Sequence, residues 1–323
     1  MPQDATLLLL DGRTVESLLD PDDVLAAVRL AFSLHSQGSG RVFPLIREHL
    51  HTGGVFGIKA GDIAGDNVLG FKAAGFWPGN RELGSEPHQA TVMLFDPATG
   101  RPLCLMDGNA ITAERTGAAG GIGLQELARP DSGSLCVFGT GVQARVQLRY
   151  ALKVLPGIRH VRYVSANGQP DLAFEAAFHG KCELRLAANR DEAVAASDVV
   201  ITATTGGGAL FSLDAVRPGT HLNCVGSDTA GKRELPPGLL ARARVVVDDL
   251  AQSRSVGECQ WASGTECTEM GSLIAKQHKP LRKDDEITVF DMTGIALQDL
   301  TVARTLYEGA RARGQGTSVA WPW

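Results

Sequence analysis

From about Ser134 onward the chain alternates short, nearly continuous apolar runs with stretches of helical spacing. "SLCVFG" predicts a buried strand, "VQARVQLRYALKVL" a helix, "HVRYVS" a strand and "PDLAFEAAF" a helix. "CELRLA", the helical "RDEAVAAS", the strands "DVVITAT" and "THLNCVG", a short helix at "PPGLLARA" and the strand "RVVVDD" continue the alternation. Strands that are apolar throughout, with no polar face, belong to a parallel sheet covered on both sides. The pattern therefore predicts a doubly wound α/β domain.

The first 120 or so residues are patterned differently. After two early helical stretches come glycine-rich strand candidates, "GVFGIKAG", "NVLGFKAAG" and "ATVMLFD". A hairpin-type turn at Asp96-Pro97-Ala98-Thr99-Gly100 leads into "RPLCLMDG". This predicts an antiparallel α+β domain. The helix "ITAERTGAAGGIGLQELA", with Thr112 as its expected N-cap, carries the chain onward. "DLTVARTLYEGARARG" predicts a long amphipathic helix near the end that packs back on the first domain.

Composition narrows the function classes. A chain of 323 residues has room for two domains, and 44% hydrophobic with 21% charged residues is ordinary for a globular protein. The formal net charge of −5, with no Lys/Arg-dense run, offers no electrostatic basis for binding nucleic acid. The six cysteines contain no C-x-x-C pair and several lie in apolar runs, so free thiols in a reducing compartment are expected, without disulfides or zinc. The apolar run "ATLLLLDG" is too short for a signal peptide and no segment approaches a membrane span, which makes the cytoplasm the default location.

The stretch "VFGTGVQAR" (137–145) follows a predicted strand and opens a predicted helix, the context in which G-x-G-x-x-A seats a dinucleotide pyrophosphate. Gly139 allows the tight turn, Gly141 lets the backbone approach the phosphates, and Ala144 permits close helix packing. The free N–H groups of the helix start then face the anion. This makes the α/β domain Rossmann-type. Expected cofactor contacts are Gly139, Thr140, Gly141, Val142 and Gln143, with Ser165 and Asn167 after the second strand. Thr204 in "DVVITATT", Val225 in "NCVG" and Thr293 are further ones. Where an acid would hold the ribose hydroxyls of NAD, "VRYVSANGQ" has Ser165, Ala166 and Asn167. That removes a reason to exclude the 2′-phosphate of NADP, so the cofactor is NADP or NAD.

Together, "FKAAGFWPGNRELG", "TVMLFDPATGRPLCLMDGNAITAERTGAAGG", "GTGVQAR", "NCVGSDTAGKREL", "VVVDDLAQSRSVGE" and "DEITVFDMTGIALQDL" resemble the ornithine cyclodeaminase/mu-crystallin family, which also holds alanine dehydrogenases and ketimine reductases. The resemblance implies a two-domain homodimer. Residues 1–120 plus 295–323 would form a substrate-binding and dimerisation domain, and 121–294 the dinucleotide-binding domain. By position, Lys72 resembles the family's active-site lysine, Arg115 its substrate-carboxylate arginine and Asp228 its catalytic aspartate; Arg47 lies near a second family arginine. Taken singly, Lys72 reads as a solvated strand lysine, Arg115 as a domain-bridging ion pair and Asp228 as a helix N-cap. The chemistry gives the resemblance meaning. Arg115 can hold a carboxylate by a bidentate fork, Asp228 can exchange a proton with an imine or amine nitrogen, and Lys72 can bind the carboxylate or tune that transfer.

Departures from the family pattern discriminate among its activities. The cyclodeaminase branch carries a Glu that handles the substrate's distal amine, and Gly57 stands at that position. Lys59-Ala60 replace a common Met-Pro; an exposed strand lysine is the preferred reading over an added pocket cation. Met292 replaces a small hydroxyl residue. His88 in "EPHQATV" resembles a mu-crystallin-like segment, and His49 and His51 would share one strand face, without a third ligand for a metal. The expectation is an NAD(P)H-dependent reductase of a C=N bond beside a carboxylate, acting on a small imino acid. A Δ1-pyrroline-2-carboxylate-type ketimine or the imine of pyruvate would suit it. An ornithine cyclodeaminase and a mu-crystallin-like binding protein are the alternatives.

Overall fold

The computed structural model describes residues 5–65, 68–275 and 282–322. The chain divides into two compact units, Met1–Arg115 with Ile295–Trp323, and Thr116–Gly294.

The first unit opens with β1 (Ala5–Leu10), α1 (Gly12–Leu18) and α2 (Pro21–Ser36). The N-terminus of α2 is set locally: Asp20 accepts the Asp22 and Asp23 N–H groups and Pro21 occupies the first turn. Val24, Ala27, Val28, Ala31 and Phe32 then bury one stripe. Strands β2 (Gly40–Val42), β3 (Ile46–His49), β4 (Val55–Ile63), β5 (Val68–Phe76), β6 (His88–Phe95) and β7 (Pro102–Asp107) follow. β4 to β7 form an antiparallel meander, and the turn after β6 is built as expected, with Asp96 Oδ1 accepting the Ala98 N–H at 2.9 Å. The antiparallel expectation fails at one place, where β1 joins β7 in parallel. The two are not consecutive strands, so no hairpin dictates their direction.

Helix α3 (Asn109–Leu127) starts three residues before the predicted cap. The Gly108 carbonyl accepts the Thr112 N–H at 2.9 Å and Asp107 Oδ1 accepts the Asn109 N–H. Thr112 therefore lies inside the first turn and is not its N-cap, and its hydroxyl is available elsewhere.

In the second unit, β8 (Ser134–Phe138), α4 (Val142–Val154), β9 (His160–Val164), α5 (Leu172–Phe178), β10 (Glu183–Leu186), α6 (Arg190–Ala195), β11 (Val199–Thr202), β12 (His221–Cys224), β13 (Ala243–Val247), α7 (Leu250–Val256), β14 (Cys267–Glu269), α8 (Met270–Ala275) and β15 (Ile287–Asp291) build an α/β fold. The sheet order is β10-β9-β8-β11-β12-β15-β13-β14, and every ladder is parallel. β11 and β12 are buried at every residue; in β12 the polar His221 and Asn223 are satisfied by hydrogen bonds to Thr288, to each other and to the Gly120 carbonyl. The chain leaves β8 to one side and returns on the other at β11, so the carboxyl ends of β8 and β11 flank the switch point where ligands of open α/β sheets bind.

The chain then returns to the first unit with α9 (Ala296–Arg313) and a final strand, Thr317–Trp321, antiparallel to β1. The first turns of α9 are buried all round, from Ala296 to Ala303. It lies on β4 and β5, where Gly70 leaves no room for a methyl group: a Cβ there would meet Leu300 Cδ2 at 2.8 Å. Among the described residues no helix is long and apolar enough to cross a membrane.

Candidate active site

β5, α3 and α9 bring three buried charges together in the first unit. Lys72 Nζ donates to Asp299 Oδ1 at 2.8 Å, and Arg115 Nε donates to the same oxygen at 3.0 Å. Arg115 Nη1 also donates to Gln298 Oε1 at 2.9 Å, and the Thr112 hydroxyl accepts from Lys72 at 3.3 Å. Lys72 is 4% exposed, Arg115 7% and Asp299 0%. Lys72 is thus no solvated strand lysine, and Arg115 closes an ion pair within one unit instead of bridging two. Asp299 Oδ2 and Gln298 Nε2 are buried without a hydrogen-bond partner. Natural sites rarely leave buried polar atoms unpaired unless a ligand or water completes them.

The electrostatics follow from this packing. Burial would raise the Asp299 carboxyl, but Arg115 and Lys72 overcome it and hold the group below the usual carboxylate range. Burial, with Arg115 and Lys59 nearby, outweighs the attraction of Asp299 and brings Lys72 down to about 7. A lysine at that value can grip an anion as ammonium or exchange a proton near neutral pH. His88, at the start of β6, shares a 3.2 Å contact with Asn109 Oδ1, and burial with the Lys72 charge favours its neutral form.

The other first-unit residues take defined places. Arg47 on β3 pairs in register with Gly57 on β4, and a Cβ at Gly57 would stand 3.8 Å from Arg47 Nε and 2.8 Å from the Ile46 carbonyl oxygen. Lys59 is half-buried and directly opposite Lys72 in the β4–β5 ladder, so the reading of an exposed strand lysine is corrected. His49 ends β3 while His51 lies in the following turn, so the two do not share a strand face.

In the second unit the glycine turn has the shape a pyrophosphate needs. Gly139 sits at φ +104° directly after β8, and a Cβ there would be 2.5 Å from the Ala203 carbonyl oxygen at the end of β11. Gly141 precedes α4 with no side-chain cap, and a Cβ on it would meet only open space. The first N–H groups of α4 are therefore approachable, Val142 is half-exposed, and the buried Gln143 Oε1 lacks a partner. These features fit a dinucleotide. The Thr140 hydroxyl donates to Asp171, and Arg145 Nε donates to the Thr140 carbonyl at 3.1 Å, bracing the turn.

Several other expected cofactor contacts are already engaged. Ser165 donates its hydroxyl proton to the Gln169 carbonyl at 2.7 Å and Asn167 Oδ1 accepts the Gln169 N–H, so Ser165 offers no spare proton to a ribose phosphate. Thr204 gives its hydroxyl to Glu234 Oε1 at 2.6 Å. Thr293 donates to Asp248 at 2.7 Å and accepts from Gln252, tying β15 to α7. Val225 donates its N–H to the Thr202 carbonyl. Asp228 accepts from Lys232 Nζ at 2.7 Å and from Thr229 at 3.1 Å, and no helix follows it, so it is not an N-cap.

Sequence reasoning passed over Asp299, Gln298 and Glu234. The first two are adjacent polar residues in the apolar "IALQDLTVA", a helix start that packing buries on every side. Glu234 accepts from Thr202, Thr204 and Gly226 and fixes the ends of β11 and β12. Burial pushes its carboxyl up.

Comparison with known proteins gives the chain a family. The ornithine cyclodeaminase/mu-crystallin family profile matches residues 6–314. The chain belongs to this family. Among its members, an iminosuccinate reductase of Paracoccus denitrificans is 35% identical, the alignment covering 97% of this chain and 99% of the relative. An archaeal alanine dehydrogenase dimer solved with bound NAD superposes with a TM-score of 0.91 at 31% identity, covering 98% of this chain and 100% of that one. The Δ1-pyrroline-2-carboxylate reductase of Thermococcus litoralis, solved with NADH and L-proline, superposes with a TM-score of 0.89 at 29% identity, over 97% and 100%.

Proposed function

We propose that this family member is an NAD(P)H-dependent oxidoreductase that reduces a C=N bond next to a carboxylate. The observation that carries the reading is the buried pair of cations on one carboxylate. Asp299 fixes Lys72 and Arg115 with a single oxygen, leaving both able to receive an anion. The activities named for the relatives support the same class, since each of those substrates or products carries a carboxylate beside the reacting C–N bond.

Within the first unit, Arg115 and Lys72 hold the substrate carboxylate, with Arg47 as a further cation for it. Within the second unit, the residues 139–143 hold the dinucleotide, and Asp228 supplies a proton-exchanging carboxylate. A nicotinamide bound there supplies the hydride. Ordinary NAD and NADP both fit this reading, and a cytoplasmic setting fits its six free cysteines.

The cyclodeaminase alternative needs a group for a second amine. Gly57 has none, and even a Cβ there would press on β3. The test is to follow NADH and NADPH oxidation with Δ1-pyrroline-2-carboxylate and with pyruvate plus ammonium. Turnover with at least one is expected. No oxidation with either, together with proline release from ornithine and no net change at the nicotinamide band, would replace this reading by the lyase.

The reading includes a homodimer. Phe56, Ile58, Phe71, Ala73 and Met93 stand half-buried on one face of the first unit's sheet, a contiguous apolar surface of the kind that marks an interface. Sedimentation is expected to give twice the 34.1 kDa of the chain, and a monomer at micromolar concentration would remove this part.

A further inference from the structure

Cys259 and Cys267 stand eight positions apart in the chain, a spacing that matches no thiol motif, yet the second unit brings their sulfurs to 3.6 Å. Cys259 is buried on the short helical turn Glu258–Trp261 that follows α7, and Cys267 is half-buried at the start of β14. A covalent bond requires the sulfurs to close by about 1.5 Å, to about 2 Å. β14 is the outermost strand of its sheet and three residues long, and Ser263 and Gly264 between the two cysteines are exposed. A short edge strand on an exposed link can take up that movement.

The two sulfurs are chemically unlike. Burial pushes the Cys104 and Cys136 thiols up to about 12 and raises Cys182 and Cys224 as well. Cys267 moves the other way: its hydrogen bond with Cys259 lowers it, with help from Arg254, against burial and Asp291. Cys259 is raised by the same hydrogen bond, by burial and by the Asp291 carboxylate. In the neutral pair Cys267 turns its own S–H to the Thr265 carbonyl at 3.5 Å, which leaves it the acceptor from Cys259. Cys267, the more accessible sulfur, is therefore the one that reaches the thiolate form and attacks.

The surroundings of Cys259 give such a bond a consequence. Its N–H donates to Asp291 Oδ2 at 3.1 Å, and the next two residues grip a neighbouring loop: Gln260 Oε1 accepts the Gly231 N–H at 2.7 Å, and Trp261 Nε1 donates to the Lys232 carbonyl at 2.8 Å. Lys232 in turn holds Asp228 through its ammonium. A shift of Cys259 passes through these side chains to the loop that carries Asp228.

We propose that Cys259 and Cys267 are a reversible redox modification site, at which hydrogen peroxide links the two sulfurs and the bond displaces the Asp228 loop. The Cys267 thiolate attacks one peroxide oxygen, the O–O bond breaks, and a Cys267 sulfenic acid forms with release of hydroxide. The Cys259 sulfur then attacks the Cys267 sulfur, the S–O bond breaks, and water leaves. Two thiols give up two electrons and two protons, and the peroxide becomes two molecules of water. The effect on turnover rests on the role given to Asp228 above, whereas the bond itself does not.

The test treats the whole protein with a small excess of hydrogen peroxide, then alkylates and digests it. No Lys or Arg lies between the two cysteines, so one tryptic peptide carries both. That peptide is expected to be unalkylated and two hydrogen atoms lighter, and to return to its reduced mass with dithiothreitol. Amide hydrogen exchange over residues 231–234 should quicken on oxidation, because Gln260 and Glu258 hold the Gly231 and Glu234 N–H groups. Imine turnover should fall by about 10- to 100-fold, the usual result of an ångström-scale misplacement, and recover with dithiothreitol. Cys267→Ser should keep exchange and turnover unchanged under peroxide. Cys267 driven to the sulfinic acid beside a reduced Cys259, or a completed bond that leaves exchange over 231–234 unmoved, overturns the proposal. A reduced protein that turns over no imine defeats the reductase reading alone, since peptide mass and exchange are read without catalysis.

Discussion

Asp299→Asn is expected to cost about 3–5 kcal/mol of folding stability, the usual result of leaving a buried charge without its partner. The substitution keeps size and shape, so no cavity confuses the result. What changes is electrostatic: one carboxylate oxygen receives both Lys72 Nζ and Arg115 Nε, and all three side chains are buried. Lys72 can escape by losing its proton, since burial already brings it to about 7. Arg115 cannot, because a guanidinium stays charged, so it is left in the interior with Gln298 alone. Denaturant titration followed through the first unit reads the loss. Saturating propionate should restore part of it by supplying the missing negative charge. A loss under about 1 kcal/mol would mean that water reaches the cluster and that Asp299 does not organise it.

Much of the second unit was legible in its sequence because central parallel strands are covered on both faces, which favours apolar residues and admits polar ones such as His221 and Asn223 only where they are hydrogen-bonded. β8 and β11 therefore announce themselves as largely apolar runs, and the G-x-G-x-x-A turn marks where the first of them ends. The first unit was less legible. Its meander follows from alternation and turns, but the pairing of β1 with β7 and of Thr317–Trp321 with β1 joins segments far apart in the chain. No local pattern encodes such a choice.

The site divides along the same line. Lys72 and Arg115 could be named from their motifs, whereas Asp299 could not, because an acid in a helix ordinarily marks a solvent face. Only the packing of α9 against β4 and β5 turns that position inward. Lys59 was misjudged for a related reason. Whether a strand lysine is solvated depends on register, and the opposition of Lys59 to Lys72 appears only once β4 and β5 are aligned. Thr293 and Ser165 show the reverse case, hydroxyls that composition makes available and the structure has already engaged.

Lys72→Met should lower kcat/KM by about 10³-fold or more without destabilising the protein near pH 6. The activity loss combines a lost charge-assisted grip with a lost proton-exchanging group, contributions of about 10–100-fold and 10²-fold or more. The stability half has a definite sign. Lys72 falls from its ordinary 10.5 to about 7 on folding, so burying its ammonium opposes folding fully below about pH 7. Between about 7 and 10.5 the folded chain has released the proton and the unfolded chain still holds it, so wild-type stability rises with pH across that window. The variant lacks this slope, while Arg115 still serves Asp299. Its midpoint should therefore match or exceed the wild type at pH 6, with the difference shifting toward the wild type by pH 9. Propionate binding gives the complementary reading: the wild type should bind it more weakly as pH rises above 7, because the ammonium that receives the anion is lost, and the variant should bind it weakly at every pH. A variant that is less stable at pH 6 than at pH 9, relative to the wild type, would mean that the ammonium is a structural asset and not a group held for a ligand.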